Sequence, residues 1–211
     1  MQVATFVTSM IARLGNRDDM EDTILAVADE LLSSTLENRG WFPWFLATDT
    51  ETEGDTFQTV AEQESVVLPT GYLSQVPDSD VWITDSNGKR RLKQLFYVDM
   101  LEMYDTTDIP MAVNNTGTRL RIRGIPAEVY PLVLYYYKTA GPFSGQTSNP
   151  WLTYAGNVVI GEVGAVIAGQ YLQDAQLAQM FTQLAAKAWS ELSIQTTAKQ
   201  LEGMDLVKGG E

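Results

Sequence analysis

The sequence predicts an α+β fold: a four-helix bundle from the N- and C-terminal thirds, a β-rich insertion in the middle and a C-terminal tail. Three observations carry this. Apolar residues recur at helical spacing up to Leu36 and again from Trp151 to Leu192. Between Phe57 and Lys138 they alternate along short runs bounded by Gly, Pro, Asn and Asp. The last eleven residues carry Gly at three positions and no periodicity. The boundaries follow: helices one and two with an acidic loop in 1–56, the insertion in 57–138, helices three and four in 139–200, and the tail in 201–211.

Val3, Phe6, Val7, Met10, Ile11 and Leu14 follow the i, i+3, i+4, i+7 rule, and Gly15 offers a left-handed stop, which gives helix one. Asp18 with Glu21 makes a capping-box-like start for helix two. Its stripe of Met20, Ile24, Val27 and Leu31 is widened by Ala28, Leu32 and Leu36 up to Gly40. The short link predicts an antiparallel pair. "WFPWF", Trp41 to Phe45, is too apolar for a free loop and reads as a plug on the end of that pair. "ATDTETEGDT", Ala47 to Thr56, reads as a solvated acidic loop.

In the middle third, "ESVVLP", "DVWITDSNGKRRLKQ" with Asn87-Gly88 at the turn, "TRLRIRG" and "YPLVLYYYK" read as strands and hairpins. One short helix, around Phe96 to Tyr104, interrupts them. Along Tyr130–Lys138, Leu132, Leu134 and Tyr136 share one side while Val133, Tyr135 and Tyr137 share the other. Both sides are apolar, so the second needs a cover, from this chain or from a neighbouring subunit. In "TRLRIRG", Arg119, Arg121 and Arg123 fall on one face, a concentrated positive patch suited to DNA, to an acidic partner or to water.

Asn149 before Pro150 is an N-cap and first-turn signature. It opens helix three, which carries Trp151, Tyr154, Val158, Val159, Val163 and Ile167. Gly156, Gly161, Gly164 and Gly169 lie within the same pattern, each costing about 1 kcal/mol relative to Ala in a helix interior. Such a cost predicts close packing against a neighbouring helix. Helix four follows from about Asp174, with Leu177, Met180, Phe181, Leu184, Ala188, Trp189 and Leu192 on its apolar side.

The formal charge is −13, and 13 of the 27 acidic residues fall in residues 1–66 against 3 basic ones, so general affinity for phosphate backbones is disfavoured. There is no Cys and no His. Disulfides, Ser-His and Cys-His catalysis, common zinc sites and imidazole switches are thereby excluded, and no cofactor is expected. The N-terminus lacks a signal-peptide pattern, and the apolar run "NVVIGEVGAVIAGQYL" is shorter than the roughly 18–20 residues needed to span a bilayer and contains Glu162. A soluble protein used without export is expected.

Three motifs invite chemistry. "DTETEGD" resembles the start of a calcium loop, but the twelfth position from Asp49 is Val60 where a bidentate Glu is required. "GEVGAVIAG" lacks the nucleotide-binding spacing, and Asn114-Asn115-Thr116 reads as a turn. The enzyme class left open is a carboxylate-pair glycoside hydrolase, for which Glu102 beside Tyr104, or Glu162, could be the acid.

Four segments resemble a known family in the same order along the chain. They are "IARLGNRDDMEDTILAVADELLSSTL", "VVLPTGYLSQ", "RLRIRGIPAEVYPLVLYYYK" and "SNPWLTYAGNVVIGEVGAVIAGQYLQDAQLAQMFTQLAAKAW". The chain is similar to the head-to-tail adaptors of short-tailed bacteriophages, also called tail tubular protein A or tail accessory factors. The resemblance implies a non-enzymatic virion protein made in the host cytoplasm. It implies a ring of twelve subunits docked beneath the portal, with the tail nozzle below, tail fibres around it in some members, and DNA passing through without specific binding. It also implies that a C-terminal segment, here containing Met204, Leu206 and Val207, reaches into the portal. Arg119, Arg121, Arg123, Tyr135 and Tyr137 are the candidate contacts to a subunit, nozzle or fibre.

Overall fold

The first helix, α1 (Val3–Arg13), buries Val3, Phe6, Val7 and Met10 on one side and ends where Gly15 takes φ +85°. The computed structural model describes residues 1–54, 56–101 and 107–208. The side chains of Tyr97, Leu101, Thr107, Asp108 and residues 203–208 are not among those described. Helix α2 (Glu21–Leu31) follows one 3-10 turn at Asp18–Met20. Asp18 makes no capping bond, so the expected capping box is replaced by that turn. A π-helical turn at Leu32–Leu36 then extends α2 and keeps Leu32 and Leu36 buried.

The chain divides into two compact units, one formed by Met1–Leu46 with Ala140–Glu211 and the other by Ala47–Thr139. In the first, α4 (Pro150–Val166) starts at Asn149, whose side chain accepts a hydrogen bond from the Trp151 amide at 2.9 Å, as the Asn-Pro signature requires. A π-helical turn at Ile167–Tyr171 continues it, and α5 (Ala175–Lys208) returns after Asp174 accepts from the Leu177 amide. Helix α4 packs against α1, α2 and α5. These contacts show an α+β chain in which α1, α2 and α5 each pack on α4; they do not by themselves establish the four-helix bundle expected. Helix α5 also continues to Lys208, through residues 201–208 that were expected as an aperiodic tail.

The helical run Pro150–Tyr171 is 22 residues long, longer than the apolar segment read from sequence, and by length and composition alone it could cross a membrane. Its apolarity has a local cause. More than half of its most apolar stretch is buried by the fold, and a helix covered on several sides is apolar on several sides.

The second unit holds an eight-stranded sheet and a two-stranded one. Its strands are β1 (Ala47–Asp49), β2 (Ser65–Val67), β3 (Tyr72–Gln75), β4 (Val81–Asp85), β5 (Gly88–Gln94), β6 (Thr107–Asp108), β7 (Ala112–Asn115), β8 (Arg119–Arg123), β9 (Ile125–Pro126) and β10 (Leu132–Lys138). The order is β1-β10-β4-β5-β7-β8-β2, with β3 also paired to β10; β6 and β9 form the small sheet. One short helix, α3 (Tyr97–Leu101), precedes β6. All pairs in the large sheet are antiparallel except β5 with β7. In the β4–β5 hairpin Asp85 pairs with Gly88, so the turn residues are Ser86 and Asn87, one position earlier than expected. Gly88 is instead the first strand residue, at φ +110°, a conformation side-chain-bearing residues rarely adopt.

The acidic stretch is not a free loop throughout. Ala47–Asp49 pairs with Tyr135–Tyr137 of β10, and the buried Thr50 hydroxyl accepts from the Leu134 amide at 3.2 Å and donates to the Leu132 carbonyl at 3.3 Å. The core of this unit joins Ile83, Leu92, Leu120 and Ile122 to Leu132, Leu134 and Tyr136, the first of the two faces read from β10.

Candidate functional site

The basic strand β8 alternates as its sequence requires: Leu120 and Ile122 are buried, Arg119 and Arg121 are exposed, and Arg123 is half-buried. The Arg119 guanidinium donates to the Ser65 hydroxyl of β2 at 3.1 Å, which holds the patch against the sheet's edge strand. On β10, Tyr137 is only 3% exposed whereas Tyr135 is 39% exposed. Val133 is buried too, so the second face of β10 is covered within the chain at two of its three positions. Tyr135 alone keeps a surface available to a partner. Strands β4, β5 and β7 lie between β10 and β8 in the sheet, so the arginines and tyrosines do not adjoin along it.

The carboxylates read as calcium-like are engaged in local structure. Asp49 accepts from both the amide and the hydroxyl of Thr52 at 2.8 Å, Glu51 pairs with Lys89 at 3.1 Å, and Glu53 pairs with Lys138. The Lys138 hydrogen bond holds the Glu53 carboxyl below the usual carboxylate range.

Glu162 is equally committed. Its Oε1 accepts from the Trp189 indole at 2.6 Å and from the Arg39 guanidinium at 2.9 Å, and Arg39 in turn lies 4.0 Å over the Trp189 ring. Both contacts are made inside the helical unit, so this carboxylate is engaged in holding Arg39 and Trp189 in place. Glu102 and Tyr104 lie outside the described residues, as do the side chains of Met204, Leu206 and Val207.

The segment Trp41–Phe45 sets its rings against α4 and α5, a target the sequence reading did not name. Trp41 meets Trp189 of α5 with ring centres 5.8 Å apart, Trp44 meets Tyr154 at 4.9 Å, and Phe45 meets Trp151 at 5.2 Å. Its partners are the last two helices. Part of the first helical pair's negative charge also points inward. Asp29 accepts from the Phe143 amide at 2.5 Å, and Glu37 accepts from the Ala140 amide at 2.8 Å and the Trp151 indole at 3.4 Å. These carboxylates anchor residues 140–151, and net charge alone could not have revealed it.

A cleft of about 700 Å³ in the second unit was not foreseen. Tyr72, Gln75, Gln94, Asn114 and Asn115 line it, with Phe96, 81% exposed, at its margin. The amide of Asn115 donates to the Tyr72 hydroxyl at 2.6 Å and to Gln75 at 3.3 Å, and burial pushes the Tyr72 phenol up. Among the described residues Asp99 is the one carboxylate lining it, so no carboxylate pair of the kind a glycosidase uses is seen among them there. Scattered amides with one exposed aromatic carry no sequence signature, because strand pairing brings them together.

The features brought to the surface are the Arg119 and Arg121 side of β8, Tyr135, and exposed apolar side chains on α5. The chain belongs to the SU10 adaptor protein family, whose model matches residues 1–204, and this is consistent with a phage head-tail adaptor. It is thus a structural component of the virion. No curated protein matches the chain.

Proposed function

We propose that this chain is a ring-forming head-to-tail adaptor that docks on the portal, extends the DNA channel and offers a platform for the tail nozzle and for tail fibres. Twelve copies would match the portal, and DNA would pass without being gripped. The observation that carries this reading is the family match across residues 1–204 of a chain whose net charge is −13. An acidic wall repels DNA weakly and does not retard its passage. Arg119, Arg121, Arg123 and Tyr135 are the contacts proposed toward a neighbouring subunit, the nozzle or a fibre; Tyr137, being buried, is not kept among them.

The C-terminal end of α5 is the proposed portal-binding element, with Met204, Leu206 and Val207 as its apolar contacts. What supports it is the loss of burial along the helix. Thr196 is the last buried position on α5 up to Glu202, so the helix leaves its own core before its end. Mixing the purified chain with the cognate portal and imaging the complex tests the reading, with rings on the portal as the expected result. Deleting Leu201 to Glu211 should weaken docking at least tenfold with nearly unchanged helicity, and undiminished docking would refute the role given to that segment. The glycosidase alternative predicts peptidoglycan hydrolysis abolished by neutralising one carboxylate; the engagement of Glu162 by Arg39 and Trp189 weighs against it.

A further inference from the structure

Helix α5 has two faces of different kinds. Phe181, Ala185, Ala188, Trp189, Leu192 and Thr196 are buried, the face on which α5 packs against α4. Roughly a third of a turn away runs a second stripe in heptad spacing: Met180, Lys187, Ile194 and Leu201, each accompanied three residues earlier by Leu177, Leu184, Glu191 and Ala198. Met180, Ile194 and Leu201 are 62%, 69% and 59% exposed, so most of each side chain is left uncovered by the described residues. Leu177 and Leu184 are half-buried at the stripe's border.

We propose that two copies of this chain pair through this stripe, antiparallel, about a two-fold axis at the level of Trp189. The rows of the stripe then match without exception. Leu177 meets Leu201 of the second copy, Met180 meets Ala198, Leu184 meets Ile194, and Lys187 meets Glu191. The one charged layer therefore sits beside the axis with opposite charges facing each other twice. A parallel pairing would set Lys187 against Lys187 and Glu191 against Glu191, which is repulsive; a single polar layer of this kind fixes direction and register at some cost in stability.

Charge elsewhere also permits the contact. Residues 175–202 carry only Lys187, Glu191, Lys199 and Glu202 as charges, paired along the helix as Lys187 with Glu191 and Lys199 with Glu202, so the helix itself is neutral in a chain of net −13 and adds no net self-repulsion of its own. From Leu177 to Leu201 the stripe spans about 36 Å at 1.5 Å per residue, enough for a stable helix pair in a folded scaffold. An isologous pair closes on itself, so it describes the chain free in solution and stands apart from the adaptor reading.

Sedimentation of the full chain should give a concentration-dependent dimer. Lys187→Glu and Glu191→Lys, each at an exposed position, should each weaken it at least tenfold with unchanged circular dichroism. Mixing the two single variants should restore a dimer, because every reversed side chain then faces its opposite across the axis. Since the chain has no Cys, single spin labels at Gln176→Cys and Gln183→Cys report direction cleanly. In the antiparallel pair the two positions have axial offsets of about 39 Å and about 18 Å from their symmetry mates, whereas a parallel pair gives equal short distances. A chain that stays monomeric, a dimer indifferent to charge reversal, or equal label distances would each overturn the proposal.

Discussion

Gly161 of α4 lies so close to Ala185 of α5 that a β-carbon on the glycine would come within 2.6 Å of the Ala185 amide nitrogen and 2.7 Å of its α-carbon. Backbone cannot swing aside as a side chain can. Gly161→Ala should therefore force the helices apart at a cost of about 1–3 kcal/mol, outweighing the roughly 1 kcal/mol that alanine contributes as a better helix former. Gly169→Ala is the control, because the nearest neighbour of its added carbon is the Ala178 methyl at 3.7 Å, an ordinary contact. Thermal melts should show the first variant clearly destabilised and the second unchanged or slightly stabilised; equal effects would refute the close-approach account.

Removing the Glu162 carboxylate should expose two dependents. Glu162→Ala leaves the Trp189 indole and the Arg39 guanidinium without their shared acceptor and should cost about 1–3 kcal/mol, toward the low end because Arg39 is partly exposed. Glu162→Gln retains a carbonyl for the indole and should cost less than half as much. Denaturant titration followed by tryptophan emission reads both quantities, and the emission of native Glu162→Ala should shift as Trp189 loses its bond.

Acid should weaken the second unit through named pairs. The hydrogen bond from Arg90 to Asp85, at 2.9 Å, and that from Lys138 to Glu53 hold both carboxyls below their ordinary range when folded. A depressed folded value means stabilisation present in full above the unfolded carboxylate value, about 4, and lost as pH falls through the lower folded values. Asp85→Asn should be less stable than the native chain at pH 7, with the gap narrowing as pH drops below about 4. Melts between pH 7 and pH 3 test this, and a constant gap would show that charge is not the cause.

Asn149 does two jobs, capping α4 through its oxygen and donating its amide to the Gly141 carbonyl at 3.0 Å. Asn149→Ala should cost about 1–2 kcal/mol. Asn149→Asp preserves the cap, gains from a negative charge at the helix start and loses the Gly141 bond, so it should fall between native and alanine. Chemical denaturation ranks the three.

Local features of this fold were legible in the sequence and distant pairings were not. The stripe of α1, the Asn149 cap, the inward face of β10 and the close packing signalled by Gly161 and Gly164 each follow from residues a few positions apart, within one element. The partner of Glu162 is Arg39, 123 residues away, and no periodicity points to it. The parallel pairing of β5 with β7 escaped for the same reason, since alternation sets which face a residue takes but not which strand lies beside it. Trp41–Phe45 was recognised as a plug while its ring partners on α4 and α5 were not, because apolarity says that a surface must be covered without saying which. The inward roles of Asp29 and Glu37 were not legible, since composition cannot distinguish an acceptor for backbone amides from a solvated acid.

One unit of this protein is assembled from both ends of the chain, Met1–Leu46 and Ala140–Glu211. During synthesis, α1 and α2 leave the ribosome well before the helix they pack on exists, and α4, when it emerges, still lacks α5. A segment apolar enough to pass for a membrane span is then briefly uncovered. Ala47–Thr139, by contrast, is continuous and can condense as soon as it is made. The order of translation thus completes the sheet-bearing segment first and leaves the helical ends to close last, so a ribosome stalled before Ala175 would hold α4 without the α5 face that covers it.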